Sequence, residues 1–226
     1  MTYPEIIQKL KSLKNKRNID GMARFGIRGK NILGIPKPVL EKMARATGKN
    51  HKLALKLWDS RIHEARILAA LIDNPKEVTS VQMEKWVRDF DSWDLCDQVC
   101  CHLFDRSPLA YRKVLEWSRR KKEFEKRAGF VLMAGMSSHD KKALDKVYLS
   151  FLPVIRREAW DERNFVKKAV NWALRQVGKR NPRLKRAAIR EARLIQKRDV
   201  PSARWIAADA LRELTDPKTS IGNLPK

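Results

Sequence analysis

Apolar residues recur along the chain at spacings of three and four, separated by short polar breaks, which is the pattern of successive amphipathic helices. Thr2 stands where it can cap a first helix whose stripe is Ile6, Ile7, Leu10 and Leu13. Further helices are predicted at about 39–47, 51–58, 62–72, 81–89, 93–104, 109–118, 123–134, 141–151, 164–177, 182–197 and 202–214. Ser80, Ser92 and Ser202 sit at expected N-caps, and Gly48 and Gly178 at expected C-caps. The long irregular stretch is 26–38, GIRGKNILGIPKP, whose two prolines fix the chain near Ile35 to Pro38. No strand pair is found, and no segment has the composition of an interdomain linker. A single domain over 1–214 is expected, with 215–226 a loose tail.

The helices come in pairs, and some resemble one another. His63-Glu64-Ala65-Arg66-Ile67-Leu68-Ala69 parallels Lys126-Arg127-Ala128-Gly129-Phe130-Val131-Leu132, as Lys168-Ala169-Val170-Asn171-Trp172-Ala173-Leu174 parallels Arg204-Trp205-Ile206-Ala207-Ala208-Asp209-Ala210. The last three recur at about the 40-residue period of HEAT-type helix pairs. The expected fold is therefore all-α, HEAT-like helical repeats stacked into a curved α-solenoid with a concave basic face. A generic helical bundle is the alternative that periodicity leaves open.

Composition narrows the class. With 226 residues, 43% of them hydrophobic, and only 9 Gly and 10 Pro, the chain can build a helical core. No apolar run approaches the roughly 18 residues of a membrane span, and Met1 to Leu13 lacks the apolar block of a secretory signal. The 3 Cys all lie between Cys96 and Cys101, which suits a reducing compartment and a cytoplasmic protein. Charge is the outlier: 50 Lys+Arg against 26 Asp+Glu leave a net +24. Such an excess points to a polyanionic partner, because neutralising phosphates releases counterions. It is also uneven, since from Arg163 to Glu213 only Glu191, Asp199, Asp209 and Glu213 are acidic. Lys168, Lys179 and Arg180 belong to this stretch and are candidate contacts to such a partner.

Two constellations carry candidate chemistry. In Ser92-Trp93-Asp94-Leu95-Cys96-Asp97, helical spacing puts Leu95 and Val99 on a core stripe, and Trp93 and Asp97 on a different face. A mid-helix Asp beside an aromatic is a poor choice for stability. By spacing alone, an ion pair from Asp97 to an Arg of the next helix is the simpler explanation. In Asn171-Trp172-Ala173-Leu174-Arg175, an indole and a guanidinium project from one face and can hold a sugar-phosphate backbone, or Trp172 can be core and Arg175 surface. Arg127 is a further candidate phosphate clamp, or a structural partner for an acid. His63-Glu64 lacks the second His of a zinc-hydrolase helix, and Cys96, Cys100, Cys101 and His102 read as buried thiols rather than a zinc set, so neither metal nor cofactor is expected. Trp58, Trp86, Trp117, Trp160 and Trp205 are most simply core.

These residues also carry a resemblance. Trp93-Asp94-Leu95-Cys96-Asp97, Glu125-Lys126-Arg127-Ala128 and Lys168-Ala169-Val170-Asn171-Trp172-Ala173-Leu174-Arg175, in this order, resemble the AlkD-like DNA alkylation-repair proteins, HEAT-like DNA glycosylases. The resemblance runs from about Met22 to Leu214 and is loose before Pro38. It implies removal of N3- and N7-alkylated purines such as 3-methyladenine and 7-methylguanine from duplex DNA, on lesions that stay largely stacked. By the same resemblance Asp97 is the catalytic carboxylate, Trp93 and Trp172 flank the deoxyribose, and Arg127 and Arg175 contact the backbone. A monomer without an obligate protein partner is expected. The alternatives are a non-catalytic HEAT-like protein that binds junctions or distorted duplex, and a scaffold for an acidic protein or RNA.

Overall fold

The computed structural model describes residues 1–29 and 31–222, and all regular elements among them are helices. Backbone proximity divides the chain into two compact units, Met1–Pro108 and the part from Leu109 onward.

The first unit contains α1 (Tyr3–Ser12), α2 (Lys16–Arg24), α3 (Lys37–Thr47), α4 (His51–Asp59), α5 (His63–Ile72), α6 (Ser80–Arg88) and α7 (Trp93–His102). The starts of four of them are set by side-chain caps. Asn15, Asn50, Thr79 and Ser92 each accept the backbone N–H three residues on, satisfying a donor that the helix leaves open. The cap of α6 is thus Thr79, one residue before the predicted Ser80. Trp58 and Trp86 stack face to face with ring centroids 3.9 Å apart, and Phe90 meets Trp58 edge-on. The polar end of that stack is satisfied by Asp89, which accepts from the Trp58 indole at 2.8 Å and from Arg66 at 3.2 Å.

Helix α2 was not predicted. Its sequence, KRNIDGMAR, has too thin an apolar stripe, and none of its residues is buried. Hydrogen bonds hold it instead: Asn15 N–H donates to the Leu33 carbonyl at 2.8 Å, and Asn18 Nδ2 to the Gly34 carbonyl at 2.8 Å.

The second unit contains α8 (Ala110–Trp117), α9 (Glu123–His139), α10 (Asp145–Glu158), α11 (Asn164–Lys179), α12 (Pro182–Gln196) and α13 (Pro201–Thr215). Helix α9 is buried on every side from Glu125 to Ser137 and packs on α8 and α11. Hydrogen bonds recur at the repeat spacing. Arg127 donates to the Phe165 carbonyl, Asn171 to Asp209 and Arg175 to Glu213, each across 38 residues. Ser202 Oγ donates to the Ala159 carbonyl across 43. Each helix pair is thus tied to the next by polar side chains that reach one repeat along.

Several sequence expectations are corrected here. The residues from Asp140 to Ala143 form a turn, because Asp140 accepts the N–H groups of Lys142 and Ala143, so α10 begins at Asp145 rather than near 141. It then runs through Pro153 to Glu158 instead of ending at 151. Gly178 is not a C-cap but lies inside α11, where a Cβ would come within 2.7 Å of Leu214. Ser202 is the second residue of α13, whose cap is Val200. Trp160 and Trp205 are not core: they are 53% and 40% exposed, with Lys126 and Lys167 ammonium groups over their rings. Of the predicted tail, Gly222 N–H donates to the Lys179 carbonyl at 3.0 Å, while 223–226 lie outside the described residues. Lys30, in the irregular 26–38 stretch, also lies outside them.

A Cβ on Gly129 would come within 2.6 Å of the Ser118 backbone nitrogen, which cannot swing aside as a side chain can. Gly129→Ala is therefore expected to destabilise the protein by about 1–3 kcal/mol, the cost of forced overpacking. Urea denaturation beside wild type measures it.

Candidate functional site

In the first unit the candidate chemistry sits at the start of α7. Ser92 caps this helix, and a short polar break before it lets Trp93 occupy the first helical position. Trp93 and Asp97 are both half-buried and one turn apart. The indole Nε1–H of Trp93 donates to the Phe25 carbonyl at 2.9 Å, so the ring is fixed from outside its own helix. Cys96 and Cys100 lie beside them, three residues on from Trp93 and Asp97 respectively, and both are buried. Burial pushes the Cys100 thiol well up, and contacts with Cys96, Cys101 and Asp97 push the same way, so it stays protonated near neutral pH. Asp94 accepts from His63 Nε2 at 3.0 Å and so joins α7 to α5.

The residue that organises this end of the unit is Glu64, which the sequence passed over as half of an incomplete zinc motif. It is 1% exposed. Its carboxylate accepts the N–H groups of Leu33, Gly34 and Ile35, at 2.6 Å for Gly34. His63 N–H donates to the Asn31 carbonyl at 2.9 Å. The irregular stretch is therefore clipped to the first turn of α5, where a carboxylate also suits the helix dipole. The signal was present: a Glu at the head of the apolar run Ala65, Ile67, Leu68, Ala69, if buried with it, has to be satisfied by something buried.

In the second unit the structure brings Asn171, Arg175 and Lys179 of α11 together opposite Asp209 and Glu213 of α13. Trp172 is half-buried. Arg175 pairs with Glu213 and lies 3.7 Å from Asp209, and Lys179 is 2.7 Å from Glu213. Burial raises the Glu213 carboxyl, but hydrogen bonds from Lys179 and Arg175 outweigh it and hold the group below the ordinary carboxylate value. Arg180 donates to the Ser137 and Ala143 carbonyls, both at 3.1 Å, with its guanidinium over the Tyr148 ring. Arg127 is buried and donates to the Phe165 carbonyl at 2.5 Å. Lys168 is exposed. The exposed cations of the basic stretch gather on α12 and its C-cap, where Arg183, Arg186, Arg190, Arg193 and Lys197 recur at spacings of three and four along one face.

Repeated helix pairs joined by side chains one repeat apart, with charged and aromatic groups on the helices, are the framework of a helical-repeat protein of the HEAT-like kind. A solved structure has the same fold: "A new family of proteins related to the HEAT-like repeat DNA glycosylases with affinity for branched DNA structures", with TM-score 0.78, 18% identity, and coverage of 94% of this chain and 95% of that one. No curated protein matches the chain. The family model described as DNA alkylation repair enzyme matches residues 6–214, and the chain belongs to that family.

Two predictions follow from these carboxylates. Glu64→Ala leaves three buried backbone donors without an acceptor and is expected to lower stability by at least about 3 kcal/mol, read by chemical denaturation. Glu213 has a depressed carboxyl in the folded state, so its contribution is present above the ordinary carboxylate value of 4.5 and is lost as pH falls below it. Glu213→Gln should accordingly flatten the acid limb of a stability–pH curve, with little change in its slope above pH 6 or so.

Proposed function

We propose that the chain is a monofunctional DNA glycosylase that hydrolyses the N-glycosidic bond of cationic N3- and N7-alkylpurines in duplex DNA, acting as a monomer. The observation that carries this reading is the α7 face: a half-buried Asp97 one turn after a Trp93 whose indole is tied to the Phe25 carbonyl. Membership of a DNA alkylation-repair family supports a reaction on alkylated DNA. The alkylated base already bears positive charge, so it departs with the bond's electron pair as a neutral purine and needs no proton from the enzyme. Positive charge then develops at the sugar, where an ionised Asp97 stabilises it and orients the water that attacks the anomeric carbon. The water's proton passes to solvent. A rigid indole is suited to packing against the deoxyribose, because fixing it in advance removes an ordering cost. The family resemblance also proposes Trp172 for a deoxyribose contact, while Arg127, buried on the Phe165 carbonyl, and Arg175, paired with Glu213, are held by the protein itself. Lys168 is the most accessible of the candidate DNA contacts. Lys179 and Arg180 are committed to Glu213 and to two carbonyls, so the α12 row carries more of the attraction to phosphates.

A second reading is a non-catalytic protein that binds distorted or branched DNA. It is favoured by the description of the structural neighbour and by the protein carboxylates that occupy Arg175 and Lys179.

One experiment separates the two. Methylated duplex DNA is incubated with wild type and with Asp97→Asn, and released bases are identified by mass spectrometry while binding is followed in parallel. The glycosylase reading expects 7-methylguanine from wild type, a loss of at least about 100-fold in the variant, and nearly equal binding by both. Tight binding by wild type with no base release supports the second reading.

A further inference from the structure

Helix α2 breaks three local rules of stability at once. Its first turn carries Lys16 and Arg17, two positive charges at the positive end of the helix dipole, with no acid to offset them. No residue of the helix is buried. Gly21 lies in its interior, although a Cβ there would meet nothing within 4 Å, so packing does not call for a glycine. Violations that local stability does not explain point to a ligand. Lys16, Arg17, Asp20, Gly21 and Arg24 line an open groove of about 590 Å³, and its three cations against one acid suit an anion. Gly21 lets the backbone of that anion approach the helix closely.

Next in the chain after Arg24, at the C-cap of α2, stands Phe25, 71% exposed. A phenyl ring this exposed contributes little burial to the fold. Its position is not loose, because its own carbonyl accepts the Trp93 indole N–H at 2.9 Å, and Gly26 follows at φ 81° to turn the chain away. A ring at the end of a phosphate track is the arrangement used to stack on a nucleic-acid base.

We propose that α2 and Phe25 form a recognition edge for unstacked DNA: the α2 groove tracks the phosphate backbone, and the Phe25 ring stacks on a base at a point where the helix is open. The inference rests on the reading of the chain as a DNA-binding protein, and it adds a preference for opened duplex that does not depend on base excision. Side-chain replacement of Phe25 leaves the backbone carbonyl that holds Trp93 in place.

The test uses the full chain with two DNA probes, an intact duplex and the same duplex with a one-nucleotide gap and 2-aminopurine facing it. Wild type is expected to bind the gapped probe more tightly and to quench the 2-aminopurine. Phe25→Ala should lose about tenfold in affinity for the gapped probe, the scale of one aromatic–base stack. It should keep its affinity for intact duplex and its melting temperature, and Phe25→Trp should restore both preference and quenching. Arg17→Ala/Arg24→Ala should weaken both probes and lower the salt slope. Unchanged preference and quenching in Phe25→Ala would overturn the role of the ring, and an unchanged salt slope in the double variant would remove α2 from the track. Should wild type bind neither probe, it is the DNA-binding reading itself that fails.

Discussion

The buried carboxylate of Glu64 is the constraint on which the first unit's functional end depends. Fully desolvating a carboxylate costs several kcal/mol unless it is richly hydrogen-bonded, and three consecutive backbone donors from Leu33 to Ile35 supply those bonds. The arrangement works in both directions. The acid is satisfied, and a stretch with no regular structure acquires one position relative to α5. The same stretch offers the Leu33 and Gly34 carbonyls to Asn15 and Asn18, so α2, which buries nothing of its own, is anchored through it. Phe25, at the end of α2, in turn holds Trp93. A chain of hydrogen bonds thus runs from a carboxylate in the core to an indole on the proposed site.

The second unit solves a different problem. Its helices carry far more cations than acids, and like charges along one face repel. Part of the excess is put to structural use. Arg127, Arg180 and Arg198 donate to backbone carbonyls about one repeat away, and Arg175 and Lys179 share Glu213. Lys126 is buried against Glu158 at 2.7 Å and Asp161 at 3.1 Å. Net charge alone therefore overstates what is free to meet DNA. Within the 163–213 stretch most of what remains accessible lies on α12 and its C-cap; the apolar face of α12, with Leu184, Ala188, Ala192 and Ile195, is buried while its other face is an arginine row.

Helix periodicity was legible wherever an apolar stripe was thick enough, as in α4, α5 and α7, and the similarity of Lys168–Leu174 to Arg204–Ala210 carried the repeat. It failed for α2, which tertiary hydrogen bonds hold in place of a stripe, and for the bounds of α10, whose start is displaced by the Asp140 turn and which continues through Pro153. Trp160 and Trp205 read as core because size was the only clue, and the lysines over their rings come from helices distant in sequence. Trp93 and Asp97 were legible as a face of one helix, but the tie from Trp93 to Phe25 spans 68 residues and leaves no trace in spacing. The use of Arg180 as a carbonyl brace was equally hidden, since a basic residue in a basic stretch looks the same whether it faces DNA or a backbone.

The central claim is that Glu64, through the segment it clips, sets the position of Trp93. Hydrogen exchange followed by NMR in wild type and Glu64→Gln addresses it most directly. In wild type the amides of Leu33, Gly34 and Ile35 and the Trp93 indole N–H should all be protected, and in the variant their protection should fall together while α9 amides in the second unit stay slow. An indole proton that keeps its full protection after the three amides have lost theirs would contradict the account.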